Sequence, residues 1–233
     1  MSPAAWAAAP RQTVLVVAAH ADDEALGCGG TIARHVARGD AVHLVIMADG
    51  VGSRRGDLAA DAARRNRARD QALDILGVQS LHCLGLPDNQ MDSLPLLHIV
   101  QPLEAHIAAL RPCTVYTHHG ADLNIDHRLT QQAVLTACRP APDSPVAEIL
   151  AFEVLSGTEW SLPGLPPFVP DVFIDISATW AVKQRALLAY ADEMRPAPHS
   201  RSLAHAQALA VHRGHSAGLA LAEAFVLLRS VRR

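Results

Sequence analysis

Apolar residues in this chain come in short unbroken runs that alternate with longer stretches of helical spacing. Thr13-Val14-Leu15-Val16-Val17-Ala18 is aliphatic at odd and even positions alike, the pattern of a strand covered on both faces. A helix is predicted from about Asp23 to Arg38, where Gly39 supplies a C-cap. Further strands are predicted at 41–47, 81–84, 113–117 and 148–154. Between them, helices are predicted at about 58–76, ended by Gly77, at 96–110, ended by Pro112, and at 128–138. This repeated strand-then-helix order calls for right-handed crossovers. It predicts an α/β, Rossmann-like, three-layer fold with a mostly parallel sheet.

The last third is less regular. Seven prolines between 140 and 170 bracket loops on either side of the 148–154 strand, and Trp160 and Phe168 among them favour a packed lid over disorder. Asp171 to Ile176 reads as another strand, at an edge, and three helices are expected at 178–191, 200–211 and 216–229. One domain spanning 1–233 is expected, with 1–11 a loose tail. A net charge of −3 gives no basic footprint for nucleic acid. The four cysteines, Cys28, Cys83, Cys113 and Cys138, form no C-x-x-C pair and read as small buried side chains in a reducing, cytoplasmic setting. No apolar run approaches the ~18 residues of a membrane span. A homo-oligomer is compatible with this composition.

Charge concentrates in two places, each after a strand and before a helix. The first is His20-Ala21-Asp22-Asp23-Glu24, the second Thr117-His118-His119-Gly120-Ala121-Asp122-Leu123-Asn124-Ile125-Asp126-His127. Imidazoles and carboxylates beside a core are costly unless a cation or a tight hydrogen-bond network compensates them. Parallel strands would deliver both clusters to one sheet edge. His20, Asp23 and His127 make a two-His-one-carboxylate set suited to Zn²⁺, Fe²⁺ or another divalent ion. Either histidine alone would more readily be a satisfied core residue; the paired clusters favour the metal. Asp22 stands where it could take a proton from water, or simply cap the helix. Gly27, Gly29 and Gly30 do not have dinucleotide spacing and follow three acidic residues, so close helix packing is their expected use.

Ala19-His20-Ala21-Asp22-Asp23-Glu24 resembles the signature of the LmbE-like, or PIG-L, zinc deacetylases, and Asn124-Ile125-Asp126-His127 is similar to that family's second motif. Leu26 to Ala33, Ala48-Asp49-Gly50-Val51, Leu86-Pro87-Asp88-Asn89, Arg213-Gly214 and Ala222-Glu223-Ala224-Phe225 extend the likeness. The resemblance implies hydrolysis of an N-acyl group, chiefly N-acetyl, from a glucosamine-type sugar or conjugate, with zinc or another divalent ion as cofactor. It implies His20, Asp23 and His127 as metal ligands, Asp22 as general base and Arg65 as a substrate contact. Asn124 stands where many members have histidine and can donate to an oxyanion without carrying charge; His118 or His119 could substitute. Asp126 is expected to orient His127 or another ligand, and Asn89 and His119 to touch substrate. An amidase acting on a thiol-sugar conjugate or antibiotic intermediate, and a catalytically weak metal-containing binding protein, are the alternatives.

Overall fold

β1 (Thr13–Ala18) lies inside a seven-stranded sheet. In the computed structural model, which describes residues 10–50 and 58–232, the chain continues through α1 (Asp23–Arg38), β2 (Ala41–Ala48), α2 (Leu58–Leu76), β3 (Ser80–Leu86), α3 (Leu96–Leu110), β4 (Thr114–His118), α4 (Ile125–Ala137) and β5 (Glu148–Phe152). It ends with β6 (Val172–Asp175), α5 (Trp180–Ala189), α6 (Leu203–Ser216) and β7 (Ala222–Ser230). Most of the expected 1–11 tail and Val51 fall outside the described residues. Among the described residues no helix is long and apolar enough to cross a membrane.

The strand order is β3-β2-β1-β4-β5-β7-β6, with the first five parallel and β7 antiparallel to both its neighbours. Val14, Val16 and Ala18 of β1 face one core, shared with α1, α2, α5 and α6; Leu15 and Val17 face the other, shared with α3 and α4. The order reverses between β1 and β4. In open α/β sheets that is where a crevice forms beyond the strands' carboxyl ends, and both acidic clusters leave from there.

The C-terminal element corrects an expectation. Residues 216–229 were expected as a helix because Ala, Leu and Glu dominate them, but 222–230 form β7. Its slot explains this: β7 fills the gap between β5 and β6, pairing with both, and packs the Phe225 ring 5.2 Å from that of Tyr116. Burial and pairing on two sides outweigh a propensity difference of roughly a kcal/mol or less per residue. A second correction concerns Cys83, which is exposed on β3, the sheet's edge strand.

α1 is broken at Cys28, whose φ of −145° is not helical. The break frees backbone groups, and side chains from distant segments take them up. Glu223 of β7 accepts from Gly30 N at 2.9 Å and Thr31 N at 2.7 Å, and Lys183 of α5 donates to Leu26 O at 2.8 Å and to Glu223 at 2.6 Å. The glycines here allow close approach, as expected. A Cβ on Gly27 would sit 2.3 Å from the Phe152 ring, and one on Gly30 2.8 Å from Ile176. In the Pro-rich stretch after β5, Phe168 packs between the His119 ring and the Arg213 guanidinium, whereas Trp160 is largely exposed.

Candidate metal centre and catalytic cleft

The turn from β1 into α1 places His20, Asp22 and Asp23, and α4 begins with Asp126 and His127 in its first turn. Asn124 is the N-cap of α4: its Oδ1 accepts from Asp126 N at 2.8 Å, and its Nδ2 donates to Asn89 Oδ1 at 3.0 Å. Asp22 holds the N-cap position of α1 with φ at 115°, yet its side chain makes no cap hydrogen bond. The carboxylate is turned instead toward Arg201, whose Nη1 donates to Oδ2 at 2.7 Å, and toward Arg65, 3.6 Å from Oδ1.

Three histidine rings converge on Asp23 Oδ2: His20 Nδ1 at 3.3 Å, His127 Nε2 at 3.3 Å and His118 Nε2 at 3.5 Å. All four side chains are buried. The His20 Nε2 edge faces Asp126 at 3.1 Å and Asp88 at 3.2 Å. His127 Nδ1 lies 3.1 Å from Asp122 Oδ1. Asp122 is itself fixed, accepting from Asn124 N on Oδ1 and from Thr158 Oγ1 on Oδ2, both at 2.8 Å.

Two sets of ligand atoms lie close enough to hold one ion, His20–Asp23–His127 and His20–Asp88–Asp126. Their chemistry differs. Asp126 is already committed, with Oδ1 accepting from Met91 N and Oδ2 from Asn89 N. In the first set, Asp23 Oδ1 and His127 Nε2 are buried without any hydrogen-bond partner. Orphaned donor and acceptor atoms of this kind are costly, and an N₂O set matches a divalent transition ion, so these residues fit a metal.

The protonation states point the same way. Burial opposes charge on His127, but the carboxylates of Asp23 and Asp122 outweigh it and raise its pKa to about 9. Burial likewise opposes charge on His20, and Asp126, Asp23 and Asp88 outweigh it, raising it well above the usual range. Burial pushes Asp23 up, yet the neighbouring His127 and His118 hold it well below the carboxylate range. The surrounding carboxylates thus favour positive charge on these two rings, as they would favour a cation. For Asp22 burial dominates over Arg201 and Arg65 and the pKa is raised.

A cleft of about 150 Å³ opens above this centre, lined by His20, Asp22, Arg65, Asp88, Asn124 and Arg201 together with Asn89, Gly50 and Glu193. Two expected contributors are placed elsewhere. His118 is buried with its Nε2 accepting from Ala19 N at 2.8 Å and its ring stacked 4.0 Å from that of His127. His119 Nδ1 accepts from Ala121 N, and its ring meets Phe168 edge-on; it does not line the cleft. Asp126 contacts His20, while the partner of His127 is Asp122, which the sequence reading passed over. Asp88, Glu193 and Arg201 were also missed. The spacing Asp122-x-Asn124-x-Asp126-His127 carried a signal for Asp122, an Asx-type turn just before a helix N-cap; nothing local marked Arg201.

The fold and cleft define an α/β protein with a buried His/Asp centre at the switch point of a mostly parallel sheet. The chain belongs to the PIG-L family: the model described as GlcNAc-PI de-N-acetylase matches residues 15–138. It is 31% identical over 183 residues to the uncharacterized deacetylase YaiS of Escherichia coli, covering 76% of this chain and 89% of the relative. It is 30% identical over 238 residues to a 1D-myo-inositol 2-acetamido-2-deoxy-alpha-D-glucopyranoside deacetylase of Mycolicibacterium vanbaalenii, covering 82% and 84%. A conserved protein of Thermus thermophilus superposes with a TM-score of 0.75 at 26% identity, over 95% of this chain and 97% of that one. The 4-oxalmesaconate hydratase of Pseudomonas putida is also similar, 27% identical over 194 residues, covering 76% and 72%.

Proposed function

We propose that this protein is a metal-dependent N-deacetylase acting on an acetamido sugar or sugar conjugate, with zinc held by His20, Asp23 and His127. The observation that carries the reading is the pairing of an N₂O set in which Asp23 Oδ1 and His127 Nε2 lack partners with a buried carboxylate, Asp22, on the lining of a polar cleft. When bound, the ion supplies a Lewis acid that acidifies water and polarises an acyl carbonyl.

The protein's own groups account for the rest. Arg201 fixes one oxygen of Asp22, and Oδ1 is buried with no hydrogen-bond partner, leaving it to accept a proton. As water adds to the acyl carbon, its proton passes to Asp22. As the carbon–nitrogen bond breaks, the same proton passes to the departing amine. Asn124 uses one Nδ2 hydrogen on Asn89 and has a second for the acyl oxygen, whose developing charge it would stabilise. Arg65, braced by Ala21 O at 2.8 Å and Glu193 at 3.1 Å, holds the cleft wall where substrate enters.

Acetate release is the test: metal-stripped and zinc- or iron-restored protein is assayed against N-acetylated sugars, a thiol-sugar conjugate, a glycopeptide and an unsaturated tricarboxylic acid. Metal-dependent acetate from an acetamido sugar is expected. Hydration of the unsaturated acid with no amide cleavage, the chemistry for which one relative is named, would refute the proposal.

A further inference from the structure

Asp22, the base of the proposed reaction, has φ 115° and ψ −29°, a backbone conformation rarely adopted by a residue that carries a Cβ. Such strain persists only where the surroundings over-determine it. Here the peptide that joins Ala21 to Asp22 is gripped at both ends. Its carbonyl oxygen accepts from Arg65 Nη2 at 2.8 Å, and its N–H donates to Glu24 Oε2 at 3.0 Å. The carbonyl of Asp22 is held as well, accepting from Ala25 N at 3.1 Å and Leu26 N at 2.9 Å as α1 begins. With the planar peptides on either side fixed, both backbone torsions of Asp22 are set, and with them the direction of its Cβ.

Both grips on the Ala21–Asp22 peptide are braced from the turn that follows α5. Tyr190 donates its hydroxyl to Glu24 Oε1 at 2.7 Å, and Glu193 accepts from Arg65 at 3.1 Å. Glu193 N donates to Tyr190 O at 2.9 Å, which ties the two braces together. Glu24 and Tyr190 are buried, and neither lines the catalytic cleft. An aspartate at an N-cap ordinarily turns its carboxylate onto the first N–H groups of its helix. Asp22 makes no such bond, and its carboxylate meets Arg201 in the cleft instead.

We infer that Glu24 and Tyr190 are positioning residues for the hydrolysis, holding the Ala21–Asp22 peptide so that the Asp22 carboxylate faces the cleft and does not cap α1. The inference rests on the deacetylase reading and deepens it: the aim of the base is set by a tyrosine that never meets the substrate.

The experiment follows acetate release from N-acetylated sugars by zinc-restored Tyr190→Phe, Glu24→Met and Glu24→Gln proteins, with Tyr190→Phe also combined with Asp22→Asn. Tyr190→Phe should lower kcat by about 10- to 100-fold, the cost of a misplaced catalytic group, with KM within about twofold of wild type and bound zinc unchanged. Glu24→Met, close to glutamate in length but unable to accept from Asp22 N, should lose at least as much. Glu24→Gln offers its carbonyl to Asp22 N and its amide to the Tyr190 oxygen, and should recover kcat to within about threefold of wild type. Once Asp22→Asn is present, Tyr190→Phe should change kcat by less than about twofold, since no base remains to be aimed. Wild-type turnover in Tyr190→Phe and Glu24→Met, a loss confined to KM, or an equal loss with and without Asp22 would each overturn the assignment. Should wild type release no acetate, the deacetylase reading fails, and crystal structures decide the positioning alone. Asp22 leaving φ near 115° and turning its carboxylate onto α1 in Tyr190→Phe or Glu24→Met, but not in Glu24→Gln, supports it; an unmoved Asp22 overturns it.

Discussion

Asp122→Asn isolates the charge beside His127 with little change of shape. An asparagine that keeps its carbonyl where Oδ1 now lies still accepts from Asn124 N at 2.8 Å and faces His127. Its amide then meets Thr158, whose hydroxyl can turn to accept instead of donate. What disappears is one of the two carboxylates that together raise His127 from 6.5 to about 9 against burial, a preference for the charged ring of about 3 kcal/mol for the pair. Without it, protons compete less for the ring, which favours metal at neutral pH. The ring also loses basicity and orientation, which typically costs 10- to 100-fold in metal affinity. The two effects oppose each other below pH 9 and separate above it. Competitive zinc titration against a chromophoric chelator from pH 6.5 to 9.5 should therefore show wild-type affinity climbing with pH to about 9 and the variant levelling off earlier. Wild type should end about 10- to 100-fold tighter at the alkaline end. Superimposable curves would refute the pairing of Asp122 with His127.

Asp22→Asn should keep its metal and lose roughly 10²- to 10⁴-fold in kcat, since the shape stays and the base goes; near wild-type turnover would mean that another group takes the proton. Asn124→Ala should lower kcat by about 10- to 1,000-fold and, by removing the α4 cap, cost about 1 kcal/mol in stability. Asn124→Ser, able to cap but too short to reach the acyl oxygen, should recover the stability alone; recovered turnover would assign Asn124 to capping only. In the metal-free protein, His127 is raised above its unfolded value, so its contribution is complete below about pH 6.5 and is lost as pH rises through about 9. Urea midpoints should accordingly fall over that window by an amount equivalent to as much as ~3 kcal/mol, and added zinc should flatten the decline; a flat metal-free profile would contradict the charged His127.

The parallel half of the fold was legible because strands buried on both faces must be aliphatic throughout, as Thr13–Ala18 is, and because glycine and proline mark where helices stop. β7 was not, since Ala222 to Ser230 carries residues equally at home in a helix, and only the vacancy beside β5 decides. His20, Asp22, Asp23 and His127 could be gathered in advance because each follows a strand end on one side of the sheet. Neighbours that depend on turn geometry were harder: Asp122 and Asp126 both precede His127, and only the coordinates show that the farther one touches it. Arg201, 179 residues from Asp22, reaches it through a connection between α5 and α6 that leaves no pattern in the sequence.

The carboxylate of Glu223 closes the broken helix α1, and Asp22 and Asp23 hang from that helix's first turn. During synthesis, therefore, β1 and α1 emerge before β7 and lack the Glu223 partner for Gly30 N and Thr31 N until β7 has been made and has slotted beside β5. The two ends of the described chain must meet before the centre takes its shape. A ribosome-stalled chain lacking β7 should have the histidines and aspartates of the site, yet hold no ion.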